Sequence, residues 1–153
     1  MEIRRSKAWL PRWSWPSSVA ARFYLVHVGN SRACLVRNGS IRQLTEDHSL
    51  VAQMVKAGRL TAQEAPNFRL RNVVTRSLRN KIPSEVELAT VERGAGDCLL
   101  IRTNGLTNMV EAAELQSVIA EGGADIERTC REAIDRANRR GGRDNITAVA
   151  CHD

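Results

Sequence analysis

Apolar and polar positions fall into regular patterns only from Phe23 onward. Phe23-Tyr24-Leu25-Val26-His27-Val28 reads as a strand ended by Gly29-Asn30, Ala33 to Arg37 as a second strand, and Ile41 to Leu44 as a third. Asn38-Gly39 lies between the last two and predicts a hairpin, because a type I′ turn needs positive φ at both central positions. Ser49 is placed to N-cap a helix through about Ala57, with Leu50, Met54 and Val55 on one face and Gly58 as its stop. Thr61-Ala62-Gln63-Glu64 fits a capping box and predicts a second short helix ended by Pro66. After Pro83, Val86 to Val91 and Cys98 to Thr103 predict two strands joined by a turn at Gly94-Ala95-Gly96-Asp97. Glu111 to Glu121 reads as helix, and Ile126, Cys130, Ala133, Ile134 and Ala137 form the apolar stripe of another. Gly141-Gly142 stops that helix, and Asn145 to Cys151 alternates as a closing strand. Strands segregated from helical pairs predict an α+β fold, with helices packed on antiparallel sheet.

Composition narrows the class. At 153 residues, 42% hydrophobic and 26% charged, the chain suits one globular domain rather than a disordered or membrane-embedded one. No uncharged apolar run approaches the roughly 18–20 residues of a membrane helix, so no membrane span is expected. The first residues lack the continuous apolar core of a signal peptide. Cys34, Cys98, Cys130 and Cys151 stand singly, without a CxxC pair, and read as small hydrophobes in a reducing cytoplasm. A cytoplasmic location is therefore expected.

The formal charge of +6 changes this picture less than it first suggests. Arg4, Arg5, Lys7, Arg12 and Arg22 face Glu2 alone, so most of the excess sits in residues 1–22. That arm also holds all three tryptophans, Trp9, Trp13 and Trp15, beside Pro11 and Pro16, and sustains neither helical nor strand periodicity. It reads as a poorly ordered extension or as a docking peptide or membrane-surface anchor. The organisation expected is thus an arm over 1–22 and one domain over 23–153. Nucleic-acid binding is not expected, because no recognition fold accompanies the charge.

Three Gly-containing segments end or begin strands and carry polar side chains: Gly29-Asn30-Ser31-Arg32, Thr103 to Asn108, and Gly142-Arg143-Asp144-Asn145. Each is an ordinary turn or part of a shared site. In their wider context they carry a family resemblance. His27-Val28-Gly29-Asn30-Ser31-Arg32-Ala33 resembles H-V-G-D-S-R-A, and Leu44 to Leu50 resembles L-T-x-D-H-S-L. Arg71 to Leu78 resembles R-N-V-L-T-R-A-L, Gly96 to Asn108 resembles G-D-x-L-L-L-x-S-D-G-L-T-D, and Gly142 to Thr147 matches G-R-D-N-I-T. With these motifs in order over roughly Phe23 to His152, the chain resembles the metal-dependent serine/threonine protein phosphatases of type 2C, in their bacterial form.

The resemblance implies a sandwich of two antiparallel sheets flanked by helical pairs, with a site at one end holding two Mg²⁺ or Mn²⁺ ions. There a bound water attacks phosphorus in line and releases serine or threonine from a phosphoprotein. It also implies a metal ligand at Asp144. Asn104 stands where the family carries another ligand Asp, Asn30 at the Asp of a third, weaker metal, and Asn108 at a further Asp. An amide keeps one neutral oxygen and loses the charge that attracts the ion. Residues 1–22 resemble none of the family's first-half motifs, namely a phosphate-binding Arg, N-E-D and D-G-x-G-G.

The expectation is therefore a partial type 2C fold with a degenerate metal site and little or no hydrolysis. The alternative is a non-catalytic module that binds a phosphoprotein or a kinase. Arg69, Arg71, Arg76, Arg79 and Lys81 form a basic run where relatives carry a flap, so Arg76 is a candidate for substrate binding, against a solvated loop. Asp97 and Asp47 read as structural. Arg136, Arg139, Arg140 and Arg143 sit at a helix C-terminus and suit its dipole. His27, His48 and His152 share no metal-ligand spacing. Cutting such a sandwich midway leaves open sheet edges, through which self-association is expected.

Overall fold

The computed structural model describes residues 22–77, 85–123 and 125–151. The Trp-rich arm up to residue 21, Arg79, Lys81 and His152 lie outside the described residues. Strands β1 (Arg22–His27), β2 (Arg32–Arg37) and β3 (Ser40–Gln43) lead to helix α1 (Leu50–Lys56) and a short 3-10 turn (Ala65–Asn67). Strands β4 (Glu87–Glu92) and β5 (Cys98–Arg102) then precede α2 (Asn104–Thr107), α3 (Ala112–Gly122), α4 (Ile126–Arg139) and β6 (Ala148–Cys151).

Local chemistry explains most boundaries. Asn38 and Gly39 have φ of 51° and 73°, the positive pair that a type I′ turn requires, and β2 and β3 pair antiparallel across them. Ser49 caps α1, its hydroxyl accepting the Ala52 N–H at 3.2 Å, and Gly58 follows the helix at φ 67°. The Thr61–Glu64 capping box forms its reciprocal hydrogen bonds, yet no α-helix follows. The chain instead makes the 3-10 turn, with Pro66 inside it rather than ending it. Proline is tolerated there because a first turn needs no N–H from it. The last strand starts at Ala148, later than alternation predicts, because the preceding backbone is drawn to Thr103.

Two antiparallel sheets result, β1-β4 and β3-β2-β5-β6, stacked as a partial sandwich with helices on the larger one. Ala33 to Val36 in β2 are all buried, as befits a central strand covered on both faces. On the helical face, Val36, Cys98 and Leu100 pack with Leu106, Val110, Leu115, Ile119, Ala133 and Ala137. Leu106 and Leu115 are completely buried, each worth about 1.5–3 kcal/mol of apolar transfer. Arg136 meets Glu114, Glu121 and Glu132 at 3.6, 3.4 and 2.7 Å, and Arg140 meets Glu114 at 2.7 Å. These arginines therefore fasten α4 to α3, beyond any effect on the helix dipole. Cys34 and Cys98 are buried, Cys130 is half-buried and Cys151 exposed, all as free thiols. No helix among the described residues is long and apolar enough to cross a membrane.

Candidate functional site

Strand register brings three candidate residues to one end of the larger sheet. Arg32 at the start of β2 pairs with Arg102 at the end of β5, and Arg102 pairs with Ala148 at the start of β6. Asn30 lies just before Arg32, Asn104 just after Arg102, and Asp144 in the segment leading to Ala148. Thr103 clamps two of these segments together. Its backbone N–H donates to the Thr147 carbonyl at 3.1 Å. Its hydroxyl donates to the Asn145 carbonyl at 2.9 Å and accepts the Thr147 N–H at 3.0 Å. Gly105 makes the approach possible: a Cβ there would overlap the Asn145 carbonyl and lie 3.3 Å from the Asp144 carbonyl carbon. Asn104 and Asp144 thus project from touching backbones. The Asp144 side chain is exposed, and its Oδ1 accepts the following N–H at 2.7 Å.

The basic segment lies beside this end. Asn108 Nδ2 donates to Asn72 Oδ1 at a long 3.5 Å, joining the end of α2 to residues 71–76. Arg76 is held by Glu85 at 2.8 Å, and the neighbouring Thr75 N–H donates to the His48 carbonyl at 2.8 Å. Asp47 is fixed by Arg32 through two hydrogen bonds of 2.8 Å, and Asp97 by Arg37 through bonds of 2.8 and 2.6 Å. Both aspartates are thus tied into ion pairs with arginines of β2. The Arg37 hydrogen bonds, helped by the Gly94 N–H, pull the Asp97 carboxyl down to about 2 despite its burial.

One polar group escapes sequence reasoning. His27, His48 and Glu87 offer ligand atoms within 4.8 Å of one another, although nothing in their spacing links them. His27 Nδ1 lies 3.1 Å from Glu87, and His48 Nε2 lies 3.8 Å from the same oxygen. His48 Nδ1 accepts the Gly29 N–H at 3.1 Å, which assigns the proton of a neutral ring to Nε2, toward Glu87. A cation between them would have to displace that proton, so the group favours a hydrogen-bonded knot tying β1, β4 and the loop before α1. Burial, followed by the His27 and Arg76 charges, pulls the His48 imidazole below its ordinary value. The only legible signal for the knot was that both histidines stand in the quoted motifs.

The family model for Protein phosphatase 2C matches residues 17–146. The chain belongs to this family. A putative protein phosphatase 2C-type of Streptococcus pyogenes is 40% identical over 127 residues, which is 83% of this chain and 51% of that protein. Protein phosphatase PhpP of Streptococcus pneumoniae is 39% identical over 124 residues, 80% of this chain and 50% of its own length. The chain spans about half the length of the curated relatives it matches. Among solved structures, the S. agalactiae serine/threonine phosphatase superposes with a TM-score of 0.79 at 38% identity, covering 86% of this chain and 55% of that one. The catalytic domain of the phosphatase PstP, in complex with two manganese ions, gives 0.73 at 31% identity, over 84% and 52% of the two chains. Protein phosphatase 2C domains use Mg²⁺ or Mn²⁺, and the α+β partial sandwich expected from the sequence is this family's fold.

Proposed function

We propose that this chain is a serine/threonine protein phosphatase-like polypeptide that does not by itself hydrolyse phosphoproteins. The observation that carries the reading is the residue set where β2, β5 and β6 meet: Asn30, Asn104 and Asp144. Two divalent ions bring about four positive charges and need several oxygen ligands, mostly carboxylates. Of the three positions, only Asp144 is a carboxylate, and neither amide supplies charge. This set does not fit a two-ion centre, so no hydrolytic step is derived through one. The test is turnover of para-nitrophenyl phosphate with millimolar Mn²⁺. No turnover above that of Asp144→Ala is expected, and Mn²⁺-dependent turnover lost in that variant would overturn the reading.

The runner-up is a non-catalytic module that binds a phosphoprotein or a kinase in the cytoplasm. The Asn72–Asn108 contact favours it, because it sets the basic segment of Arg69, Arg71 and Arg76 beside an end where Asn30, Asn104 and Asn108 leave Asp144 as the carboxylate of that set. Arg76 would have to exchange Glu85 for a phosphate, which guanidinium geometry permits. Calorimetry with a phosphoserine peptide in chelator should then show binding that weakens in Arg76→Ala; absence of heat would sink this reading.

A further inference from the structure

The buried His48 holds the turn between β1 and β2 through both its side chain and its backbone. Its ring Nδ1 accepts the Gly29 N–H at 3.1 Å, and its own N–H donates to the Gly29 carbonyl at 2.8 Å. Gly29 sits at φ 117°, a conformation that side chains rarely adopt, and Asn30 follows it directly. A further bond ties the same residue to the basic segment, since the His48 carbonyl accepts the Thr75 N–H at 2.8 Å. The bond through Nδ1 needs a ring nitrogen that carries no proton. A proton there would set two donors against each other and leave the Gly29 N–H without its acceptor.

The surroundings give a protonated ring a second partner. His48 Nε2 lies 3.8 Å from Glu87 Oε2, beyond a normal hydrogen bond, while His27 Nδ1 lies 3.1 Å from the same oxygen. The two rings stand 4.9 Å apart, tilted by 36°. Among the described residues His27 Nε2 is buried without a hydrogen-bond partner, so a second proton on that ring would meet no acceptor. His48 is faced by His27 from β1, Glu87 from β4, Glu46 from the loop before α1, and Arg76 from the basic segment. Glu46 is also engaged by Lys56 of α1 at 3.0 Å and Arg76 by Glu85 at 2.8 Å, while the adjacent Asp47 is turned to Arg32. Burial, His27 and Arg76 favour the neutral ring, whereas Glu87 and Glu46 favour the charged one.

We propose that His48 is an acid-released latch: its ring takes a proton at Nδ1, lets go of the Gly29 N–H and moves toward Glu87, which frees the turn carrying Asn30. The proton comes from solvent, and no bond between heavy atoms changes. The imidazolium exchanges a neutral hydrogen bond for a charge-assisted one to a carboxylate, which is about twice as strong. Released, Gly29 turns its N–H to water, and the turn is left with the single backbone bond from His48. The closed ring binds its proton less readily than a free imidazole of 6.5. The closed turn is therefore favoured above that value and loses stability as pH falls through it.

The experiment is amide exchange and ring-nitrogen NMR on the full chain between about pH 7.5 and 5, a span that brackets histidine titration. Protection of the Gly29 N–H, taken relative to its unstructured rate at each pH, is expected to fall by about fivefold or more, while the β2–β5 amides hold theirs within about twofold. Ring-nitrogen shifts should show His48 protonated at Nε2 at the upper pH and gaining its Nδ1 proton along the same curve. His48→Asn supplies an amide oxygen near the Nδ1 position that accepts from Gly29 without titrating, so the step should vanish there and persist in His27→Asn. Should His48→Asn fail to fold, the ring titration of the unsubstituted chain reads the same coupling. Constant Gly29 protection through the His48 titration, a neutral His48 with its proton on Nδ1, or a parallel loss in β2–β5 would each overturn the proposal. So would a step that survives in His48→Asn or is lost in His27→Asn.

Discussion

Arg32 and Arg102 stand directly opposite each other across β2 and β5, and among the described residues Arg32, not Arg102, is hydrogen-bonded to a carboxylate. Arg102 is 3% exposed, and its Nε and Nη1 have no hydrogen-bond partner. Burial pulls its guanidinium below the ordinary value, with the Cys34 thiol beside it as a weak compensation. Like charges directly opposite on a sheet repel, and a buried cation without a carboxylate hydrogen-bonded to it carries a desolvation cost that the more distant Asp47 offsets only in part. Arg102→Met should therefore stabilise the chain, by about 1–3 kcal/mol on the scale seen when buried charges become apolar. Urea titration checks this, and a lowered midpoint would show that Arg102 stabilises the sheet.

The Arg37–Asp97 pair should act in the opposite sense. Asp97 is nearly inaccessible and accepts from both Arg37 and the Gly94 N–H. Asp97→Asn should cost about 1–3 kcal/mol, the penalty of leaving buried donors poorly matched. The folded pKa of about 2 lies below the ordinary value of 3.8, so the unfolded chain takes up this proton first as pH falls. The contribution is complete above about pH 4 and fades toward pH 2. Melts across that window should show a shallower acid loss in Asp97→Asn than in the parent chain; parallel curves would assign the loss to other groups.

Gly105 tests the apposition of Asn104 and Asp144. A methyl there would collide with the Asn145 carbonyl, which is backbone already held by Thr103. Gly105→Ala should destabilise by about 1–3 kcal/mol, as overpacking does. Faster amide exchange should follow at Thr147, whose N–H donates to Thr103. Unchanged exchange there would mean the two segments do not depend on each other.

Charge at the end of the sheet should be restorable. Asn30→Asp with Asn104→Asp adds two carboxylates near Asp144, and Coulomb attraction for a divalent ion rises accordingly. Calorimetry should find Mn²⁺ binding at least tenfold tighter than in the parent chain. An unchanged isotherm would show that these positions do not face a common ion.

Much of the fold was legible because it is locally encoded. Asn38-Gly39 could close only a tight hairpin, Ser49 and Gly58 bracketed a helix, and the Ile126–Ala137 stripe could bury only one face. Two expectations failed, and a distant contact explains the second. The Thr61–Glu64 box closed without nucleating an α-helix, and Asn145 to Thr147 left the last strand for Thr103. The short helix α2 was missed because its four residues carry no period.

The amino-acid sequence alone determined the family and the succession of most strands and helices along the chain, since motifs, caps and periodicities are local properties. Only the tertiary structure decided that Thr103 and Asn145, 42 positions apart, bring Asn104 to Asp144, and that His27 and His48 share Glu87. It alone showed that Val26 and Leu88 stand side by side on the exposed face of β1-β4. The +6 charge of the sequence had no bearing on these contacts. Periodicity encodes which side of a strand is apolar, but what covers that side depends on contacts between segments remote along the chain.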